Sequence, residues 1–364
     1  MLTTLLASND VRLIAQRFGL DPLMDAMIDR LGQCLQSYDA NQIDVKIRDG
    51  FAYSSPALGL IEWMPVLEPG RATIKIVGYH PRNPAVRGIP TILSTVAVFD
   101  PVTGHLTGLV DGTFLTALRT GAASAVASRI LASPRSRALG LIGAGAQAVT
   151  QLHGMVRVLQ SLETVYVYDL VLDRSRSFLD RVSPLLPPGV SIHLSTPDEL
   201  LPKVDVLCTQ TSVEPGDGPV FEDGPHKGHL HVNAIGSDFP GKIELPLALL
   251  ERGIVCPDFP EQAIREGECQ QLTRQQIGPS LAALVKDPDR YRFAHEGPTV
   301  FDSTGFALED AVAAQLLLDL AAEMGVGSSI ELESVSEDPW NPYAFYREPA
   351  GSLESAASDT PFRV

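Results

Sequence analysis

The opening of the chain reads as helical, with apolar residues recurring at helical spacing in Leu23, Met27, Leu31 and Cys34/Leu35. Asp21-Pro22 precedes them and reads as an N-cap followed by a proline at the first helical position. From Val45 to Asp100 the texture changes to short β-rich runs. Leu58–Met64, Ala72–Gly78 and Thr91–Phe99 predict strands, punctuated by Pro65, Pro69, Pro81, Pro84 and Pro90. Asp111-Gly112 then leads into Thr113–Leu131, whose alanines and lack of breakers predict a long helix ended by Ser133-Pro134.

Beyond that point strands and helices alternate. Ala138–Ile142 and Thr164–Tyr168 predict buried strands around a helix at Ala146–Leu159. Further strands are expected at Ser191–Leu194, Val204–Thr209, His231–Ile235 and Gly253–Val255. Continuous apolar strands joined by crossover helices imply a parallel sheet covered on both faces. A last helix is predicted over Leu308–Met324. The simplest architecture is an α/β unit at 126–307 inserted into a discontinuous α+β domain made of 1–125 and 308–350. The remaining 351–364 are expected to be a flexible tail.

The sharpest local motif follows the first of the buried strands: Leu141-Ile142-Gly143-Ala144-Gly145-Ala146-Gln147-Ala148. Gly143 suits a tight turn, and Gly145 lets backbone approach a pyrophosphate at a helix N-terminus. The third fingerprint position is Ala148, so the context carries the reading. The next strand ends at Asp169, 26 residues after Gly143, where a carboxylate accepts both ribose hydroxyls and repels a 2′-phosphate. The α/β unit is therefore expected to be a Rossmann-type NAD domain. Arg174 keeps NADP as a minority reading, and a glycine turn that binds another nucleotide, such as S-adenosylmethionine, is the bland alternative.

Charge narrows the partners. Of 364 residues, 28 are Lys or Arg and 44 are Asp or Glu, a formal net charge of −16. That excess repels nucleic-acid backbones and anionic lipid, so neither nucleic acid nor a membrane is an expected partner. No apolar run approaches the roughly 18 residues of a membrane span, and the first residues lack the basic flank of a signal peptide. The four cysteines are scattered, which fits reduced thiols and a cytoplasmic location. The histidines form no metal-ligand set. His229 and His231 alternate on a strand, but core or surface roles are the better expectation, and no metal is expected.

Several charged residues interrupt apolar segments: Glu62, Lys75 and Arg119. Each must be exposed, paired or turned to a ligand; taken singly, each is expected on an outer face. Together they hint at a zwitterionic substrate. Asp238 follows the strand His231–Ile235, at the end that faces the crevice of an open parallel sheet. It is either an acid/base residue or an ordinary turn aspartate. Asp302–Phe306 reads as a helix N-cap turn or a loop closing the cofactor cleft.

Taken together, these blocks resemble the ornithine cyclodeaminase/mu-crystallin family. The matching stretches are Gly59–Pro65, Lys75–Asn83, Asp111–Ser124, Leu141–Ala148, Val232–Leu245 and Asp302–Asp310, in family order from about residue 45 to 325. Arg265–Leu272, Gly78–Asn83 and Glu62 resemble the ornithine (or lysine) cyclodeaminase branch; mu-crystallin-like members lack an acid at the Glu62 position.

The resemblance implies an NAD-dependent enzyme. Asp238 and Glu62 are the implied catalytic residues. Arg48, Lys75 and Arg119 are implied to hold the substrate carboxylate, with Lys46 a competitor for the place of Arg48. Thr91 and Thr304 are implied to line the substrate. The implied cofactor contacts are Thr120, Gly143, Gly145, Ala146, Gln147, Asp169, Thr211, Ile235, Gly236, Ser237, Lys242 and Ser303. The implied reaction oxidises a diamino acid to an α-imine, closes the ring with loss of ammonia, and re-reduces the cyclic imine. L-Ornithine to L-proline is the first expectation and L-lysine to pipecolate the alternative. A ketimine reductase, an alanine dehydrogenase-type oxidoreductase and a non-catalytic binder are the further readings. The resemblance also implies a homo-oligomer, with a dimer formed through the β-rich domain.

Overall fold

The computed structural model describes residues 1–336 and 338–347. The expected tail at 351–364 lies outside the described residues. The chain opens with β1 (Thr3–Leu6), α1 (Ser8–Phe18) and α2 (Leu20–Ser37). Then come β2 (Asp44–Val45), β3 (Asp49–Tyr53), β4 (Gly59–Glu68), β5 (Arg71–Tyr79), the short α3 (Asn83–Arg87), β6 (Ile92–Phe99), β7 (Leu106–Asp111) and α4 (Gly112–Leu131). The middle of the chain alternates: β8 (Ala138–Ile142), α5 (Ala146–Val158), β9 (Thr164–Tyr168), α6 (Leu172–Arg176), α7 (Phe178–Val182), β10 (Ser191–Leu194), α8 (Pro197–Leu200) and β11 (Val206–Thr209). It continues with β12 (His231–Ala234), α9 (Leu247–Arg252), β13 (Ile254–Pro257), α10 (Pro260–Glu266), α11 (Leu281–Lys286) and β14 (Thr299–Asp302). Finally α12 (Ala307–Met324) and β15 (Ser328–Ile330) return to the first sheet.

That first sheet runs β15-β1-β7-β6-β5-β4-β2, with β3 also on β4, and is mostly antiparallel. The second runs β10-β9-β8-β11-β12-β14-β13, with every pairing parallel. Its strand order reverses between β8 and β11, which opens a crevice beyond their carboxyl ends. Residues of β8, β11, β12 and β14 are buried throughout, as a sheet covered on both faces demands. The fold is therefore α/β, with a Rossmann-type parallel sheet.

The long α4 is buried on nearly all sides and ties the two sheets together. Its partner α5 approaches very closely. A Cβ on Gly121 would sit 2.3 Å from the Thr150 carbonyl, and one on Gly154 2.4 Å from the Gly121 carbonyl. Backbone contact at this spacing leaves no room for larger residues. On the other side, Leu23, Met27, Ile28 and Leu31 of α2 bury against α4 and α12. The inner face of the first sheet packs on α12, while Phe51, Ile61, Leu67, Ile76 and Leu93 are exposed.

Several local expectations change. The opening Thr3–Leu6 is a strand. Helix α2 starts at Leu20 behind Gly19, whose φ is +92°, so Asp21-Pro22 lies inside its first turn. There the Asp21 carboxylate pairs with His153 and Arg157 of α5. Pro65 sits within β4, in the gap between the residues that β2 and β3 pair with, where its missing N–H forfeits no ladder bond on that edge. Strand β14 was not expected: four residues behind Pro298 carry too short a pattern, yet they form an inner strand of the parallel sheet. Among the described residues, no helix is long and apolar enough to cross a membrane.

Candidate active site

At the switch point the loop after β8 is held from several directions. The Gly143 N–H donates to the Tyr168 carbonyl at 2.8 Å, and the Gly143 carbonyl accepts from Gln210 Nε2 at 2.6 Å. Gly143 has φ +94°, which disfavours any side chain. The Ala144 N–H donates to Asp169 Oδ2 at 2.8 Å. Helix α5 then begins behind Gly145 with no side-chain cap, leaving its first N–H groups for a ligand. A Cβ on Gly145 would meet nothing within 4 Å, so the protein itself does not require glycine there. An open cradle above a helix N-terminus fits a pyrophosphate. Ala146 is exposed on the rim, Ala148 is buried below, and Gln147 Oε1 accepts from Thr150 Oγ1 at 3.1 Å. Asp169 is mostly buried, takes a second bond from the Val171 N–H, and has Arg174 at 3.8 Å.

Opposite this cradle, the first sheet and α4 supply cations. Lys75 of β5 is 2% exposed and donates to Asp310 Oδ1 at 3.0 Å. Arg119 of α4 is 5% exposed, donates from Nη1 to Glu309 Oε2 at 2.8 Å, and has Nε 3.2 Å from Asp310. The expected outer-face exposure is wrong for both. Their carboxyl partners arrive from α12, 235 and 190 residues away, so nothing local in the chain announces the pairing. Burial pulls the Lys75 ammonium down to about 8 against the pull of Asp310. Burial also pushes Glu309 up to about 8, with Arg119 opposing. Among the described residues, Glu309 Oε1 and Asp310 Oδ2 are buried without a hydrogen-bond partner.

Arg48 enters from the turn between β2 and β3. Its Nε donates to Glu266 Oε1 and its Nη2 to the Thr304 carbonyl, each at 2.6 Å. Lys46, the competing residue, pairs with Asp44 on the exposed side of the turn. Glu62 of β4 is half-buried rather than on an outer face. Burial raises its carboxyl, Arg48 lowers it, and Asp238, Lys75 and Lys242 lie within electrostatic reach. Asp238 is not an isolated turn residue, because Lys242 donates to its Oδ1 at 2.5 Å. The Lys242 ammonium stands 5.0 Å over the Tyr79 ring. Its burial opposes the charge, but Asp238 and Tyr79 raise it above the usual lysine value. Tyr53, Leu60, Tyr79, Glu214, Asp238 and Lys242 line a cavity of about 370 Å³. The structure thus brings Arg48, Glu62, Lys75, Arg119, Asp238 and Lys242 into one neighbourhood.

Other expected contacts are occupied by the protein itself. Thr120 Oγ1 donates back to the Thr116 carbonyl. Thr304 Oγ1 donates to Asp258 at 3.1 Å, and Ser303 Oγ to the same carboxylate at 3.4 Å. Thr91 offers its carbonyl to the His80 N–H. The Ile235 N–H donates to the Thr209 carbonyl, and Ser237 Oγ to the Lys242 carbonyl. Asp302 is neither a helix cap nor a lid residue. It ends β14 fully buried and accepts from the Glu268 and Cys269 N–H groups.

Four buried carboxylates, Glu244, Asp258, Glu268 and Asp302, whose structural role the sequence did not reveal, tie together the loops that follow the parallel strands. Glu244 accepts from Thr209 Oγ1, from the Thr211 N–H and Oγ1, and from the Gly236 N–H. Glu268 accepts from the Glu244 N–H, Asp302 ties down the 268–269 turn, and Asp258 binds the Gly305 N–H. The available signal was an acid inside an apolar run, as in Ile243-Glu244-Leu245. His231 bonds to Thr299 and Ser128 in the core, where burial lowers it to about 3, and His229 bonds to Asp205.

The profile of the ornithine cyclodeaminase/mu-crystallin family matches residues 10–325. Over 346 residues the chain is 42% identical to L-lysine cyclodeaminase of Streptomyces rapamycinicus, covering 94% of this chain and 100% of that one. A solved lysine cyclodeaminase, studied for its recognition of L-lysine, L-ornithine and L-2,4-diaminobutyric acid, superposes with a TM-score of 0.91 at 48% identity; 95% of this chain and 100% of that chain are covered. An archaeal alanine dehydrogenase dimer with bound NAD superposes with a TM-score of 0.81 at 28% identity, over 92% of this chain and 100% of that one.

Proposed function

The chain belongs to the ornithine cyclodeaminase/mu-crystallin family, and on that premise we propose that it converts L-lysine to L-pipecolate and ammonia, using NAD catalytically. The observation that carries this reading is the meeting of Glu62 and Asp238 with Arg48 and Lys75 at one crevice. Cations suit an α-carboxylate, and two acids suit the two amines of a diamino acid. The similarity to lysine cyclodeaminase favours lysine over the ornithine-to-proline reaction first expected.

NAD, the cofactor of this enzyme, would supply reversible hydride chemistry at the substrate α-carbon. Its pyrophosphate would lie on the N–H groups at Gly145 and Ala146, with Asp169 at the adenosine ribose, where a 2′-phosphate would be repelled. Arg48, Lys75 and Arg119 hold the α-carboxylate and so fix the α-carbon. Asp238, paired with Lys242, takes the proton that the α-ammonium loses on oxidation. Glu62, whose carboxyl burial has raised, takes a proton from the distal ammonium. The freed amine attacks the imine carbon, the aminal expels the α-nitrogen as ammonia after reprotonation, and a cyclic imine remains. Holding both ends of the substrate makes ring closure effectively unimolecular.

L-Ornithine remains the second reading, because one methylene separates the two substrates by only about 1–3 kcal/mol. The test supplies substoichiometric NAD with each diamino acid and follows ammonia, cyclic product and absorbance. Ammonia and pipecolate without net NADH support the proposal. Faster formation of proline supports ornithine, and stoichiometric NADH without a ring supports a plain dehydrogenase.

A further inference from the structure

The contacts of Arg48 run to the opposite part of the chain. Its residue lies between β2 and β3 of the first sheet, yet Nε binds Glu266 at the end of α10 and Nη2 binds the Thr304 carbonyl after β14. Its backbone N–H adds a bond to Gln262 Oε1 at 3.3 Å, and Gln262 Nε2 binds the Gly305 carbonyl. The Arg48 and Glu266 side chains are only 8% and 9% exposed. A guanidinium has five N–H donors. With Nε and one Nη2 donor engaged, the Nη1 pair and one Nη2 donor remain, enough for an end-on carboxylate.

We propose that Glu266 is a positioning residue. It clasps Arg48 across the crevice, so that the free end of the guanidinium is held ready for the substrate α-carboxylate. The inference rests on Arg48 as a carboxylate ligand, part of the function proposed above. Glu266 also lies within electrostatic reach of Glu62 and Asp238, and its carboxyl is pushed up to about 7 by burial, against the pull of Arg48. Its contact, however, is with Arg48 rather than the cavity. A flexible arginine without this partner must be ordered by each arriving substrate, which weakens binding and leaves the chemistry largely alone.

The test is a double-mutant cycle of Glu266→Ala and Arg48→Met. It is read as the Kd of L-pipecolate for the enzyme–NADH complex by NADH fluorescence, and as kinetics with L-lysine and with the preformed cyclic imine. Glu266→Ala is expected to raise the pipecolate Kd and both KM values by a similar factor, about 10- to 100-fold as for a lost charge-assisted bond. NADH affinity and kcat should stay within a few-fold. Glu266→Gln, which keeps an oxygen for Arg48 Nε, should recover most of the loss, and Glu266→Ala should add little on top of Arg48→Met. A rise confined to lysine would overturn the proposal by making Glu266 a ligand of the distal ammonium, and multiplicative effects would overturn it too. If the alanine variant does not fold, Glu266→Met carries the same comparison. Wild-type enzyme that binds pipecolate but never cyclises lysine would refute the proposed reaction while the cycle still reads the clasp.

Discussion

Replacing Asp310 with asparagine puts the buried charge cluster to a quantitative test. The carboxylate is 1% exposed and faces Lys75 at 3.0 Å and the Arg119 Nε at 3.2 Å. Breaking a buried pair ordinarily costs about 3–5 kcal/mol because a charge is stranded. In this cluster the two cations respond differently. Arg119 cannot lose its proton but keeps Glu309. Lys75, already lowered to about 8, escapes by deprotonating, at roughly 1.4 kcal/mol near pH 7. The expected cost is therefore about 1.5–3 kcal/mol, a Tm decrease on the order of 2–4 °C for a chain of this length. On the proposed function a neutral Lys75 no longer pairs with the substrate carboxylate, so KM for the amino acid should rise about tenfold or more. Thermal unfolding by circular dichroism and steady-state kinetics at pH 7 measure both. A Tm within about 1 °C of wild type, together with an unchanged KM, would refute the assignment of Asp310 as the anion that keeps Lys75 charged.

Asp238→Asn should abolish turnover while NADH fluorescence titration shows near-native binding, and retained turnover would remove Asp238 from the chemistry. Glu62→Ala should slow cyclisation of the diamino acid much more than reduction of the preformed cyclic imine; equal losses would argue against a role at the distal amine. Because burial lowers Lys75 to about 8, its charge is present below that pH and lost above it. Accordingly kcat/KM for the amino acid should fall as pH rises through about 8, and Lys75→Arg should move that limb upward; an unmoved limb assigns it elsewhere. Ile76 is 49% exposed on a sheet face shared with Ile61 and Leu93, so Ile76→Arg should turn a dimer into monomers in sedimentation velocity, whereas a persistent dimer would place the interface elsewhere.

How much was legible in the chain follows from the range of the interactions. The turn at Gly143 and the helix after Gly145 are local, so spacing alone locates them. The strand-end position of Asp238 follows from the same logic of alternating strands and helices. Lys75 and Arg119 were visible as misplaced charges, but their burial depends on Glu309 and Asp310 from α12, and pattern does not encode such distant pairing. Strand β14 and the carboxylates Glu244, Asp258, Glu268 and Asp302 are the converse case. Each acid is stabilised by backbone N–H groups of loops that meet only once the parallel sheet has formed.

In the proposed reaction the α-nitrogen leaves and the distal nitrogen closes the ring. L-Lysine carrying ¹⁵N only at the α-position, turned over with a catalytic amount of NAD, tests this directly by mass spectrometry of both products. The geometry of Asp238 and Glu62 predicts labelled ammonia and unlabelled pipecolate. Labelled pipecolate with unlabelled ammonia would mean that oxidation occurs at the distal carbon, and would contradict the roles of the carboxylate-binding cations and of both acids.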